Sequence, residues 1–118
     1  MAKTVLIVDD HASFRRAVRL VLEYEGYDVV GEAPDGEEAL VAARDLRPGL
    51  VLLDVNMPGI DGFEVAERLT AEETGAPAVI LTSSRDSSDF EARIKRSGAR
   101  GFIPKAEISG ARLAALLQ

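Results

Sequence analysis

The feature that most constrains this chain is a set of short apolar runs that do not alternate. Val5-Leu6-Ile7-Val8, Leu50-Val51-Leu52-Leu53 and Ala78-Val79-Ile80-Leu81 are apolar throughout. A strand with one wet face alternates apolar and polar residues, whereas a strand covered on both faces does not, and such strands belong to parallel sheets flanked by helices. Two further runs are weaker: Tyr27 to Ala33 mixes Val29 and Val30 with Asp28 and Glu32, which predicts an edge strand, and Gly101-Phe102-Ile103 is short.

Helical patterns fill the intervals. Phe14, Ala17, Val18, Val21 and Leu22 follow the i, i+3, i+4, i+7, i+8 spacing of an amphipathic helix, with Arg15, Arg16 and Arg19 opposite and Gly26 as a stop. Ala39, Leu40 and Ala43 repeat the pattern more weakly, as do Phe63, Ala66 and Leu69, and Leu113, Leu116 and Leu117 give the last helix its buried stripe. Between Asp86 and Ser97 only Phe90 and Ile94 are large apolar anchors, so this helix is expected to be the least firmly held. The order βαβαβαβαβα predicts an α/β fold, a doubly wound five-stranded parallel sheet with right-handed crossovers. With strand order 2-1-3-4-5, ligands bind beyond the carboxyl ends of the strands, near the switch between strands 1 and 3.

The 118 residues, 47% hydrophobic and 29% charged, suit one domain spanning 1–118. By size scaling such a chain buries roughly two thirds of its unfolded surface and needs no disulfide. The absence of cysteine excludes thiol nucleophiles and thiolate metal sites. Met1-Ala2-Lys3-Thr4 leads straight into the first run and no apolar run approaches membrane-spanning length, so a cytoplasmic protein without membrane contact is expected. A net charge of -6 disfavours direct nucleic-acid binding. Up to Ser84 there are 16 acids against 7 bases, and from Arg85 onward 4 against 7. The locally basic last third is either a solvated surface or a docking face for an acidic partner.

The strand ends carry the chemistry. Strand 1 ends in Asp9-Asp10, strand 3 in Asp54, strand 4 in Thr82-Ser83, and strand 5 leads to Lys105. Singly, these residue types are common at turns and surfaces. Together they place three carboxylates in one corner, where mutual repulsion raises at least one pKa unless a cation compensates. Mg²⁺ suits such a corner, since it takes oxygen ligands and typically binds one or two carboxylates plus a phosphate. Phosphoryl transfer asks mainly for alignment and for positive charge on the equatorial oxygens, which a metal, a lysine and a hydroxyl donor supply around an aspartate nucleophile. His11, the only histidine, sits beside the acidic pair. An exposed loop residue is favoured for it over a metal ligand or a phosphodonor.

Val8-Asp9-Asp10, Leu53 to Gly62 (LDVNMPGIDG), Leu81-Thr82-Ser83 and Gly98 to Lys105 (GARGFIPK) closely resemble the receiver domain of two-component response regulators, over essentially the whole chain. The resemblance implies that Asp54 is phosphorylated by a histidine kinase or a histidine phosphotransfer protein. It further implies Mg²⁺, with Mn²⁺ as a substitute, held directly by Asp10 and Asp54, indirectly by Asp9, and by the backbone carbonyl of Asn56. Lys105 matches the lysine that contacts the phosphoryl group. The family's spacing of 22 residues before that lysine points to Ser83 as the switch hydroxyl, with Thr82 as the close alternative, and Phe102 occupies the place of the aromatic switch. Met57-Pro58-Gly59 shapes the loop after the nucleophile. Many receivers follow the lysine with a cis proline, but here Ala106 follows and Pro104 precedes, which leaves the orientation of Lys105 open. The expected consequence of phosphorylation is a shift of the face built by strand 4, helix 4, strand 5 and helix 5. That face would address an output domain or downstream protein, or a homodimer partner. Three rivals stand beside this reading: a Mg²⁺-dependent aspartate-nucleophile phosphatase of the haloacid dehalogenase type, a flavodoxin-like mononucleotide binder, and a receiver-like module that no longer uses phosphate. The phosphatase would carry a second acid where this chain has Asn56. The mononucleotide binder would carry a phosphate loop in place of Asp9-Asp10.

Overall fold

Alternate residues of the apolar runs go to opposite faces of one sheet, and both faces are covered. The computed structural model describes residues 3–71, 75–85 and 90–117. Strands β1 (Thr4–Val8), β2 (Asp28–Ala33), β3 (Leu50–Asp54), β4 (Ala78–Ser83) and β5 (Gly101–Pro104) alternate with helices α1 (Ala12–Tyr24), α2 (Gly36–Leu46), α3 (Gly62–Thr70), α4 (Glu91–Ser97) and α5 (Gly110–Leu117). The sheet order is β2-β1-β3-β4-β5 with every pairing parallel, so Tyr27 to Ala33 does supply an edge strand. Every residue of β3 is buried, as its unbroken apolar run demands.

Two core clusters occupy the two faces. Leu6, Val8, Val51, Leu53, Val79 and Leu81 pack with Ala39, Phe63, Val65 and Ala66 of α2 and α3. On the other face Val5, Ile7, Leu50, Leu52, Ile80 and Ile103 pack with Val18, Leu22 and Leu113 of α1 and α5. Helices α2 and α3 start where aspartates cap them: Asp35 accepts the Glu38 N–H at 2.9 Å and Asp61 the Glu64 N–H at 3.0 Å. Each bond satisfies one of the backbone donors that a helix start leaves open.

The expected stripe on α1 is only partly buried. Val18 and Leu22 enter the core, but Ala17 and Val21 remain exposed, together with Leu20 and Tyr24. Of the fourth predicted helix, 86–89 lie outside the described residues, and α4 begins at Glu91. No helix among the described residues is long and apolar enough to cross a membrane.

Candidate functional site

The carboxyl ends of β1 and β3 lie side by side, with Val8 opposite Leu53, so the residues that follow them meet. Donor atoms of Asp9, Asp10, His11 and Asp54 all lie within 4.8 Å of one another. Asp9 is fully buried and Asp54 is 2% exposed, whereas Asp10 and His11 reach solvent. Lys105 enters from the turn after β5, its Nζ 2.7 Å from Asp9 Oδ2 and 3.4 Å from Asp54 Oδ2. Among the described residues all peptide bonds are trans, and with Pro104 before it Lys105 still reaches the acidic pair. The 2.7 Å contact is an ion pair with a buried oxygen of Asp9.

Electrostatics follow from this packing. Burial pushes the Asp54 carboxyl above its ordinary pKa and the negative charge of Asp9 adds to the rise, while the Asn56 N–H and the Lys105 ammonium oppose it. Burial alone would lower the Lys105 pKa, but its contact with Asp9 and the charge of Asp54 outweigh that and raise it. Lysine is therefore firmly cationic here, a compensating charge among the acids. One ammonium facing two carboxylates, with a third carboxylate at the rim, leaves room for a second, harder cation. The donor set is mostly oxygen, as Mg²⁺ requires, so the residues present fit that ion.

A second group of contacts links Asp54 to β4. Asn56 donates its backbone N–H to Asp54 Oδ1 at 3.2 Å and its side-chain amide to Ser83 Oγ at 3.3 Å. Ser83 Oγ also accepts the Arg85 N–H at 3.0 Å. Thr82 is placed differently. It pairs with Asp54 and Ile103 in the sheet, follows Ile80 onto the α1 and α5 face, and its buried hydroxyl has no hydrogen-bond partner among the described residues. Ser83 shares the opposite face with Leu81, whose neighbour in β5 is Phe102. The Phe102 ring is partly buried, 6.1 Å from Phe90, which is in turn 5.5 Å from Phe63. An aromatic row thus runs from α3 past the start of α4 to β5.

Three contributions escaped the reading of the sequence. Asn56 joins Asp54 to Ser83, its backbone N–H bonding the first and its side-chain amide the second, a bridge that was not expected of it. Phe14 lies under the Lys105 ammonium at 4.5 Å from ring centroid to Nζ, a cation–π contact that positions the amine. Arg15 donates to the Asp9 carbonyl at 2.6 Å and pairs with Glu32, tying the acidic loop to α1 and β2. In sequence, Phe14 and Arg15 read only as the two faces of an amphipathic helix. Gly62 gives the corner its tightness, since a Cβ there would stand 2.2 Å from the Asp54 carbonyl oxygen. His11 is exposed, as expected, but not idle: its Nδ1 lies 3.2 Å from Asp9 Oδ1 and 3.1 Å from Asp10 Oδ1.

Comparison with known proteins agrees with this geometry. The family model described as the response regulator receiver domain matches residues 5–118. BvgA of Bordetella pertussis, described as a positive transcription regulator of virulence factors, is 43% identical over 108 residues, which is 91% of this chain and 51% of that protein. The chain spans about half the length of the curated relatives it matches. A two-component response regulator of the LuxR family from Aurantimonas sp. SI85-9A1 superimposes with a TM-score of 0.86 at 30% identity, covering 99% of this chain and 86% of that one. CheY in a complex with CheX, BeF3 and Mg²⁺ from Borrelia burgdorferi gives 0.83 at 26% identity, covering 98% and 86%. With five parallel strands in the order 2-1-3-4-5 and an acidic pocket at their carboxyl ends, the chain belongs to the response regulator receiver domains, the signalling modules of two-component systems.

Proposed function

We propose that residues 1–118 form a single receiver domain in which Asp54 accepts a phosphoryl group from a phosphohistidine of a kinase or phosphotransfer protein. The carrying observation is the placement of Asp54: a buried carboxylate between a fixed ammonium and two further acids, at the strand end where ligands of this fold class bind. A carboxylate oxygen of Asp54 attacks phosphorus, the phosphorus–nitrogen bond to the donor imidazole breaks, and the imidazole leaves and takes up a proton from solvent. Asp9, Asp10, Asp54 and the Asn56 carbonyl would hold Mg²⁺ or Mn²⁺, which when bound supplies positive charge to the phosphoryl oxygens. Lys105, held over Phe14, supplies charge on another side without needing to be recruited. Asn56 carries an amide where a phosphatase would need a proton donor, and that amide is engaged with Ser83, which supports a lasting acyl phosphate over turnover.

The transferred group adds about two negative charges that need new donors. Ser83 is the favoured source, because its hydroxyl already joins Asn56, whose N–H bonds Asp54, and lies on the same face of the sheet as Phe102, whereas Thr82 lies on the face opposite Phe102. Turning toward the phosphate, Ser83 releases the Arg85 N–H at the head of the β4–α4 connection, and Phe102 follows inward. The altered face addresses an output region or a second copy, and transcription control is the output that the relatives suggest. A donor charged by ATP places the reaction in the cytoplasm. The test is to incubate the tag-free protein with acetyl phosphate and Mg²⁺ and measure intact mass. One phosphoryl adduct is expected, lost in Asp54→Ala and on chelation; equal labelling of Asp54→Ala overturns the assignment.

A further inference from the structure

We infer that His11 is a nitrogen ligand of the cation site, which makes this receiver prefer a borderline divalent ion such as Zn²⁺, Co²⁺ or Ni²⁺ over what an all-oxygen corner would. This rests on the cation site proposed above and names one more of its donors. The geometry is specific. Nδ1 faces the acidic pair, 3.1 Å from Asp10 Oδ1 and 3.2 Å from Asp9 Oδ1. In an octahedral complex with bonds of about 2.1 Å, neighbouring donor atoms stand about 3.0 Å apart, and in a tetrahedral zinc site about 3.3 Å. Both spacings to His11 fall between these values, so an ion can join Nδ1 to a carboxylate oxygen of the acidic pair without moving the ring far.

The ring is also held for the task. His11 precedes α1 in an extended conformation with ψ 108°, and its own N–H is bonded to Asp9 Oδ1 at 2.8 Å. The backbone therefore fixes where the imidazole starts. Carboxylates only accept, so without an ion the Nδ1 contact is served by the tautomer with its proton on that atom. An ion takes the same direction with the ring in its other tautomer, the proton carried on Nε2. With its side chain 65% exposed, the ring is open to an incoming hydrated ion, while the Asp9 carboxyl lies fully buried behind it. Lys105 pairs with the other oxygen of Asp9, Oδ2 rather than Oδ1. Imidazole favours later first-row ions over Mg²⁺, which binds oxygen almost exclusively.

Because the chain has a single histidine, its ring protons are an unambiguous reporter. Tag-free protein is titrated with ZnCl2 and, separately, with MgCl2, following the His11 ring and the backbone amides of Asp10 and Asn56 by NMR and the affinities by calorimetry. Zn²⁺ is expected to shift ring and amides together at one equivalent, whereas Mg²⁺ shifts chiefly the amides. His11→Ala should lower Zn²⁺ affinity at least tenfold more than Mg²⁺ affinity, and Asp10→Asn should weaken the response of the ring to Zn²⁺. Amides that respond to both ions while the ring stays unmoved, or a His11→Ala protein with an unchanged Zn²⁺ to Mg²⁺ ratio, overturn the role of His11 alone. Amides that respond to neither ion overturn the cation site itself.

Discussion

Helices α3 and α4 are neighbours on one face of the sheet, yet they are held in opposite ways. In α3, Gly62, Phe63, Val65, Ala66 and Leu69 are all buried, and Asp61 caps its start. In α4 only Ser97 is buried, and Phe90 at its start makes no side-chain cap. What fixes α4 lies at its other end. Thr70 Oγ1 stands 2.8 Å from the Ala66 carbonyl and 3.0 Å from the Ser97 carbonyl, so its single proton serves the ends of both helices. Gly98 turns against that threonine with φ +82°. Helix α3 is thus part of the frame that presents Asp54, while α4 is hinged at its C-terminus and rests at its N-terminus on aromatic contacts. An element held most firmly at one end, with lighter contacts through Phe90, Ile94 and Arg93, is reoriented at less cost than one buried along its length.

The contrast is broken most directly by removing the anchor of each helix. Phe63→Ala empties a fully packed site and is expected to cost about 3–5 kcal/mol in urea denaturation. Phe90→Ala, at a partly buried position in the same aromatic row, should cost under about 2 kcal/mol. Equal losses would mean that α4 is as firmly built in as α3, and the hinge would be lost as an idea.

The hinge itself comes next in size. A Cβ on Gly98 would stand 2.2 Å from Thr70 Oγ1 and 2.9 Å from Thr70 Cβ, at a φ that side chains rarely adopt. Gly98→Ala is expected to cost about 1–3 kcal/mol through crowding and strain. Thr70→Ala in that background should recover part of the loss, although on its own it removes a hydrogen bond and destabilises. Strict additivity of the two changes in thermal melts would show that the ends of α3 and α4 are not coupled there.

Much of this layout was legible because hydrophobic runs and strand-end acids are local signals. The unbroken run Leu50 to Leu53 announced a doubly covered strand, and the continuous β1 and β3 runs placed Asp9, Asp10 and Asp54 at neighbouring ends. The thin burial of α4 could be read from Phe90 and Ile94 alone. Contacts that depend on side-chain reach were not legible. That Asn56 bridges to Ser83, that Phe14 carries Lys105, and that the His11 ring turns back to the acids are all settled by rotamer and packing, which spacing does not encode. Ala17 and Val21 on α1 misled for a related reason: periodicity finds an apolar face but not how much of it the fold covers.

The smallest expected effect concerns the outer strap between the two helices. Arg93 of α4 donates to Asp61 Oδ2 at 2.9 Å and lies over the Phe63 ring at 4.2 Å. Burial alone would raise the Asp61 pKa, but the Glu64 N–H and Arg93 prevail and hold it below the usual carboxylate range. A carboxyl whose folded pKa is depressed contributes its stabilisation above the unfolded value, about 3.9, and loses it as pH falls through the folded value. Arg93→Ala is therefore expected to cost under about 1 kcal/mol at neutral pH, because the pair is solvent-exposed, and to flatten the acid limb of the stability curve below about pH 4. In hydrogen exchange the same substitution should accelerate the amides of α4 and leave those of α3 unchanged, since Asp61 still caps Glu64. Equal acceleration in both helices would place the strap in the shared frame rather than on the hinged element.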